Sequence, residues 1–190
     1  MATDFTLSSG SIMRPFRSPW GNFPTRNMPV ISTNAVVKVG QVVTISAAGS
    51  SFGANAVNNN TSTGGLNLFS IVGVAAEGAP VFVSSATQGP TIAIWEANPL
   101  VEFKAVTKGA VLASSHVGKR KCFAYDSAKD IHWIDLTGST ATDWRVVITG
   151  LVDGIGDSGG YVSFRFLTSL GEQIESTTIL SSSPLLAFYS

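Results

Sequence analysis

The residues most suggestive of catalysis lie in the Gly-Asp-Ser-Gly-Gly string at 156–160. Glycines around a serine can shape an oxyanion hole beside a nucleophilic hydroxyl, which then needs a histidine base and an acid that orients this base. The two histidines, His116 and His132, lie too close upstream of Ser158 and stand in no matching sequence context. Because a short motif without its partners is a weak signal, the string instead indicates a Gly- and Asp-rich turn between two strands.

Metal ligation is the next chemistry to consider. Asp153 and Asp157 flank glycines, but a calcium loop needs an oxygen ligand two residues after the first aspartate, where Ile155 stands. A zinc site would have to draw on His116, Cys122 and His132. These three residues lack the paired short spacing of zinc ligands. The sequence therefore predicts no metal site and no cofactor.

Three consecutive cations, Lys119, Arg120 and Lys121, follow a turn of small residues. A phosphate-binding loop would need a further glycine upstream and a Ser or Thr after the lysine, where Cys122 stands. The cluster is interpreted as solvated loop charge or as a contact with an acidic partner surface. The acids Glu172 and Glu175 are not placed opposite a base. No catalytic constellation emerges, and the chain is predicted not to be an enzyme.

Composition excludes further classes of protein. The 190 residues carry 12 basic and 12 acidic side chains, whereas a general nucleic-acid binder usually has a strongly basic face. A single cysteine, Cys122, excludes an intramolecular disulfide. The first ten residues lack the basic start and apolar run of a secretory signal, and no apolar stretch is long enough to cross a bilayer. We therefore expect a protein made in the cytoplasm, with no membrane contact and no direct contact with nucleic acid.

Short β-like runs separated by turn residues recur from residue 30 onward. The clearest run alternates Val162, Phe164 and Phe166 on one face with polar residues on the other. The predicted strands cover 35–39, 42–46, 66–74, 91–95, 100–107, 121–125, 131–136, 144–151 and 161–167. Evenly spaced short strands without amphipathic helices predict an all-β fold, with a single barrel or sandwich domain at 30–170. Within this domain 47–65 is predicted to be a long uncharged loop, and 171–190 follows as a C-terminal tail.

Residues 1–29 differ from the rest of the chain. Prolines recur there at four- or five-residue intervals, and proline fixes φ and biases the preceding residue toward extended backbone. The segment is therefore predicted to be an extended N-terminal arm, neither helix nor central strand. Because ordering such an arm costs entropy that apolar burial must offset, we expect its aromatic residues to dock on a partner. The candidate contact residues of the arm are Arg14, Phe16, Arg17, Trp20, Phe23 and Arg26.

Several short segments share the strand-and-turn order of a known family. They are Asn34–Ser46 with its Val-Lys-Val-Gly-Gln-Val-Val core, Ile71–Ala75, Ile94–Glu96 leading to Val101–Phe103, Val117–Lys119, His132–Asp135, Val146–Asp153 and Gly160–Phe166. Together they resemble the head decoration (cement) proteins of tailed bacteriophages over about residues 30–168. The closing pair, an apolar strand, a Gly/Asp turn and an alternating strand ending in Arg-x-Phe, is typical of that family.

The resemblance implies a non-enzymatic β-barrel that binds the outside of an expanded icosahedral head. Such proteins often form trimers at threefold and quasi-threefold positions and clamp neighbouring major capsid subunits against the pressure of the packaged DNA. The expected partner is then the major capsid protein, the expected assembly a homotrimer, and the expected location the capsid exterior after synthesis in the bacterial host cytoplasm. In that setting the arm would lie across a neighbouring subunit or add a strand to a sheet edge there.

A carbohydrate-binding or adhesion β-sandwich on a virion or cell surface is the alternative interpretation. Such a protein needs an exposed aromatic platform, for which Trp95, Trp133 and Trp144 are the candidates. Each of these tryptophans lies in a predicted strand, where a large aromatic side chain more often contributes to the core.

Overall fold

The computed structural model describes residues 12–30, 37–45, 57–59, 71–78, 91–126, 128–129, 131–137 and 145–167. In these ranges the chain forms eleven strands and one 3₁₀ turn, Ser114–His116, so the predicted all-β class is confirmed. The strands are β1 Arg14–Arg17, β2 Thr25–Pro29, β3 Val42–Ile45, β4 Val57–Asn59, β5 Ile71–Ala75, β6 Thr91–Glu96, β7 Glu102–Lys108, β8 Arg120–Asp126, β9 Ile131–Asp135, β10 Val146–Leu151 and β11 Tyr161–Phe166.

Five of these strands close into a barrel, in the order β7–β11–β10–β8–β9. Neighbours are antiparallel except at the closure, where β9 runs parallel to the second half of β7 and Thr107 lies opposite Ile134. The first half of the same β7 edge is taken by β1, with Pro15 opposite Phe103. Closure satisfies backbone groups that an open sheet would leave unpaired at its edges.

The barrel interior is built on four phenylalanine rings. Phe103 packs edge-on against Phe166 with ring centroids 5.1 Å apart, and Phe123 packs edge-on against Phe164 at 5.7 Å. These are favourable arrangements for aromatic pairs. The inward face predicted for the last strand is confirmed, since Val162, Phe164 and Phe166 are all buried.

The other five strands form an antiparallel sheet, which we call the open sheet, in the order β2–β6–β5–β3–β4. Its middle strand β5 is buried at every position. Ile71 and Val74 join the core of the barrel, whereas Val72 and Ala75 belong to a separate aliphatic cluster. Gly73 lies where β5 and β6 come so close that an added Cβ would be 1.9 Å from the Trp95 carbonyl oxygen.

Most predicted strands are present with shifted ends, but two expectations for the first half of the chain change. The run 35–39 does not form a strand where it is described, since only a single bridge occurs at Val37 before the turn that leads into β3. The prediction that 47–65 is entirely loop is wrong at Val57–Asn59, which pair with β3 as an edge strand. The remaining residues of 47–65, residues 1–11 and the tail 171–190 lie outside the described residues.

The described part of the arm is extended, and it contributes a strand to each sheet of its own chain. β1 lies along the barrel and β2 forms an edge of the open sheet. Met13, directly before β1, and Met28, within β2, are buried. Pro15 and Pro29 are tolerated because proline can occupy edge strands, where it need not donate a ladder hydrogen bond. Residues 12–30 therefore link the two sheets through their edges.

Candidate interaction surface

Many of the charged side chains of the molecule lie on the outward face of the barrel around β7. Phe103 of β7 points inward opposite Phe164, so its neighbours Glu102 and Lys104 point outward. Together with adjoining side chains of β1, β9 and β11 they form a surface that we call the outer wall. It consists of Arg14, Phe16, Arg17, Glu102, Lys104, Lys108, Trp133, Asp135, Tyr161 and Arg165. The wall thus holds five cations and two acids.

Cations of the outer wall lie over its aromatic rings. The Lys104 ammonium is 5.9 Å from the ring centroid of Phe16 and 5.6 Å from that of Tyr161. The Lys108 ammonium is 4.5 Å from the ring of Trp133. These distances are within the range of cation–π attraction, so the lysine heads are held above the barrel surface.

Glu102 organises the end of the outer wall near the start of β7. Its side chain is only 12% exposed and accepts a hydrogen bond from the Arg165 guanidinium at 3.1 Å. The Arg17 guanidinium approaches the other carboxylate oxygen at 3.9 Å. The Glu102 carboxylate therefore interacts with two guanidinium groups, one from β1 and one from β11, on either side of β7.

The arm turns back between β1 and β2, and Trp20 lies at this bend. The Trp20 backbone N–H donates to Ser18 Oγ at 3.2 Å, and the Trp20 residue is 54% exposed. Because Arg17 lies opposite Glu102, the bend and the turn before β7 lie beyond the same end of the strand pair. Leu100, 53% exposed, lies in that turn. This end of the molecule therefore presents two large apolar side chains to solvent.

The six arm residues singled out in the sequence do not form one site. Arg14, Phe16 and Arg17 lie on the outer wall, and Trp20 lies at the bend beyond it. Phe23 instead packs against the core of its own chain. Arg26 lies on the open sheet, where its Nε donates to Glu96 Oε1 at 2.8 Å.

The cation cluster 119–121 is also divided. Lys119 and Arg120 are exposed, but the Lys121 ammonium donates a hydrogen bond to the backbone carbonyl of Leu136. Lys119 and Arg120 are thus the members of the cluster that a partner could reach.

Lys121 also affects the nearby His116. Burial lowers the pKa of His116 below its ordinary value, and the positive charge of Lys121 lowers that pKa further.

The Gly-Asp-Ser-Gly-Gly string lies in the connection between β10 and β11, as predicted. Asp157 Oδ2 accepts the Gly154 N–H at 2.9 Å, and Asp153 Oδ2 accepts the Tyr161 N–H at 2.8 Å. These carboxylates therefore hold the turn in shape. Ser158 forms an isolated antiparallel β-bridge with Val111, which lies in the connection that follows β7.

Each histidine uses its Nδ1 as an acceptor for a backbone amide. The Ala113 N–H donates to His116 at 3.2 Å, and the Val42 N–H donates to the buried His132 at 3.2 Å. The second contact joins the barrel to the open sheet. Among the described residues no group of three or more His, Cys, Asp or Glu side chains is placed to hold a metal ion.

Of the tryptophans proposed as a carbohydrate platform, Trp95 and Trp133 lie in different sheets. Trp95 is partly buried against the core, and Trp133 is 9% exposed beneath Lys108. Trp144 lies outside the described residues. In the ranges that the structure describes, no helix has the length and apolarity required to traverse a bilayer.

Sequence reasoning missed most of the barrel contribution to the outer wall, namely Glu102, Lys104, Lys108, Asp135, Tyr161 and Arg165. A signal for them was present, because charged residues alternate with buried ones in the first half of β7, and Arg165 of β11 lies between the buried Phe164 and Phe166. A scan against protein-family models, a search of curated proteins and a search of solved structures each found no match.

Proposed function

We propose that this chain is a non-enzymatic head decoration protein, which binds the outer surface of a phage capsid and clamps neighbouring major capsid subunits. The observation that carries this proposal is the exposed Trp20, held at a bend whose two flanking strands belong to different sheets. Tryptophan is among the residues that contribute most to binding when they are buried at an interface. A large aromatic side chain on such an anchored bend supports a role in docking.

The architecture also supports a clamping role. The closed barrel and the open sheet are connected by the extended arm and by the hydrogen bond between Val42 and His132. These connections hold the two sheets together as one unit. Many copies of such a body on one capsid would turn modest contacts into a large combined stabilisation. We propose a homotrimer on the capsid exterior, made in the bacterial host cytoplasm, with no direct contact with nucleic acid.

The experiment is co-sedimentation of the full-length protein with expanded, DNA-free heads of the encoding phage that lack decoration protein. Deleting residues 1–29 would be a poor test, because it removes β1, β2 and the buried Met13 and Met28. The point variant Trp20→Ser avoids this problem. We expect saturable binding of the wild type and an affinity at least about tenfold lower for the variant.

Ile155→Ser is the matched control. Ile155 is 70% exposed in the β10–β11 connection, at the other end of the barrel from Trp20. This change removes an exposed apolar side chain without altering the bend, so the control is expected to bind like the wild type. Absence of saturable binding by the wild type would refute the proposal, and specific binding on a glycan array would then favour the carbohydrate-binding alternative.

A further inference from the structure

The outer wall has a local structure that points to one kind of ligand. The pairing of β1 with β7 shifts register between Pro15 and Arg17, so that Phe16 is an extra residue opposite β7. Such a bulge re-aims side chains next to it. Both Phe16 and Arg17 consequently lie on the outer face, and the Arg17 guanidinium is 4.8 Å from the Phe16 ring. The bulge thereby concentrates the aromatic ring and the cations in one area.

Two cations at the centre of this area lie directly opposite each other. Arg14 pairs with Lys104 across β1 and β7, and the residues of a directly opposite pair share one face. Like charges in this arrangement repel and destabilise the pair. Among the described residues neither side chain forms an ion pair, in contrast to Arg17 and Arg165, which share Glu102. The arrangement would be relieved by an anionic group that approaches from outside.

We propose that the outer wall, centred on Arg14 and Lys104, docks an acidic surface of the major capsid subunit. This inference rests on the proposed function and adds to it the binding face and the chemistry of the partner. The wall has three more cations than acids in a chain whose total charge is zero, so its charge complements an acidic surface.

An acidic protein fits this wall better than single-stranded nucleic acid does. Binding of single strands uses free aromatic faces on which bases stack. Here Lys104 lies over Phe16 and Tyr161, and Trp133 is almost fully buried beneath Lys108. The rings therefore position the ammonium groups and leave little free face for a base.

The test measures head binding of the double variant Arg14→Gln/Lys104→Gln at low and at high salt. Loss of two cations that face an acidic surface is expected to weaken binding about tenfold at low salt. The salt dependence should also become shallower, because fewer screened charge pairs remain. The single variant Arg14→Gln leaves the contacts of Lys104 with the rings in place and should show a smaller change in the same direction.

Lys129→Gln is the control for the single variant Arg14→Gln. It removes one unit charge from an exposed position in the turn between β8 and β9, outside both the outer wall and the 119–121 cluster. Circular dichroism and thermal unfolding of each variant establish that it is folded. Wild-type affinity and salt dependence in a folded double variant would overturn this inference while leaving the proposed function standing.

Two other outcomes are also decisive. If a thymidine oligonucleotide competes with the heads and loses its own binding in the double variant, the wall is a nucleic-acid site and the inference is overturned. If the wild type does not bind heads at any salt concentration, the proposed function fails and this inference fails with it.

Discussion

The barrel and the open sheet bury their apolar side chains in different ways. In β7 of the barrel, Phe103 and Ala105 point into a closed interior, and Glu102 and Lys104 are left on the outside. In β5 of the open sheet every residue is buried, because the strand packs against the barrel core on one side and an aliphatic cluster on the other. The barrel thus keeps charged side chains of β7 on its outside, whereas the central strand of the open sheet exposes no side chain.

The arm adds one strand to each region, but the two strands differ in what they expose. At the barrel β1 brings Arg14, Phe16 and Arg17 to the outer wall and extends a charged surface. At the open sheet β2 covers the edge of β6, and its Arg26 is paired with Glu96. The side chains that we propose for docking therefore lie on the barrel side of the molecule, whereas β2 closes an edge of the open sheet. The following changes test how each region is packed.

The largest effect is expected for Gly73→Ala in the open sheet. An alanine Cβ would lie 1.9 Å from the Trp95 carbonyl oxygen, which is backbone and cannot rotate away. We expect a loss of more than about 4 kcal/mol in the free energy of unfolding, or no folded protein at all. The measurement is urea denaturation followed by circular dichroism.

Gly156→Ala is the control for that change. Gly156 has φ +95° but nothing within 4 Å of an added Cβ, so the cost is limited to backbone strain of about 1–2 kcal/mol. Equal losses in the two variants would contradict the close approach of β5 and β6.

Phe164→Ala in the barrel is expected to lower the free energy of unfolding by about 3–5 kcal/mol. Its ring contacts Phe103, Phe123 and Phe166, so truncation leaves a cavity among three aromatic neighbours. Ile94→Val in the aliphatic cluster removes one methylene and should cost about 1 kcal/mol. A smaller loss for Phe164→Ala than for Ile94→Val, measured by urea denaturation, would refute the description of the barrel core.

The predictability of these two regions differs for a physical reason. The alternation in β11 follows from Phe164 and its neighbours, since a strand that is buried on one face must show a period of two. The strands of the arm were not predicted, because Pro15 and Pro29 exclude a central strand and their edge positions depend on partners distant in sequence. The outer wall was missed for the same reason, since it combines residues from β1, β7, β9 and β11.

Met13→Ala and Met28→Ala test the integration of the arm into each region. Met13 is buried with the barrel core and Met28 with the aliphatic cluster of the open sheet. We expect each change to lower the free energy of unfolding by about 2–4 kcal/mol, measured by urea denaturation. Trp20→Ser, at an exposed position of the same arm, should change it by less than about 0.5 kcal/mol. Unchanged stability in either methionine variant would mean that the arm does not brace that sheet.

The smallest effect concerns His116, in the connection that follows β7. Its pKa in the folded protein is lowered from 6.5 by burial and by Lys121, so the unfolded chain takes up the proton first as the pH falls. Stability is therefore unaffected by this group above about pH 6.5 and decreases as the pH falls from there to the folded pKa. His116→Asn should remove this part of the pH dependence. The measurement is the difference between the urea midpoints of wild type and variant, taken at neutral and at mildly acidic pH. Both proteins retain His132, so this difference reports on His116.

The most direct test of the central proposal is a cryo-electron microscopy reconstruction of expanded heads incubated with the purified protein. We predict added density on the outside of the capsid, into which the barrel fits with Arg14, Trp20 and Lys104 at the contact with the major capsid subunits. Heads without added density at saturating protein concentration would contradict the decoration function. Added density in which the outer wall faces solvent would contradict the assigned binding face.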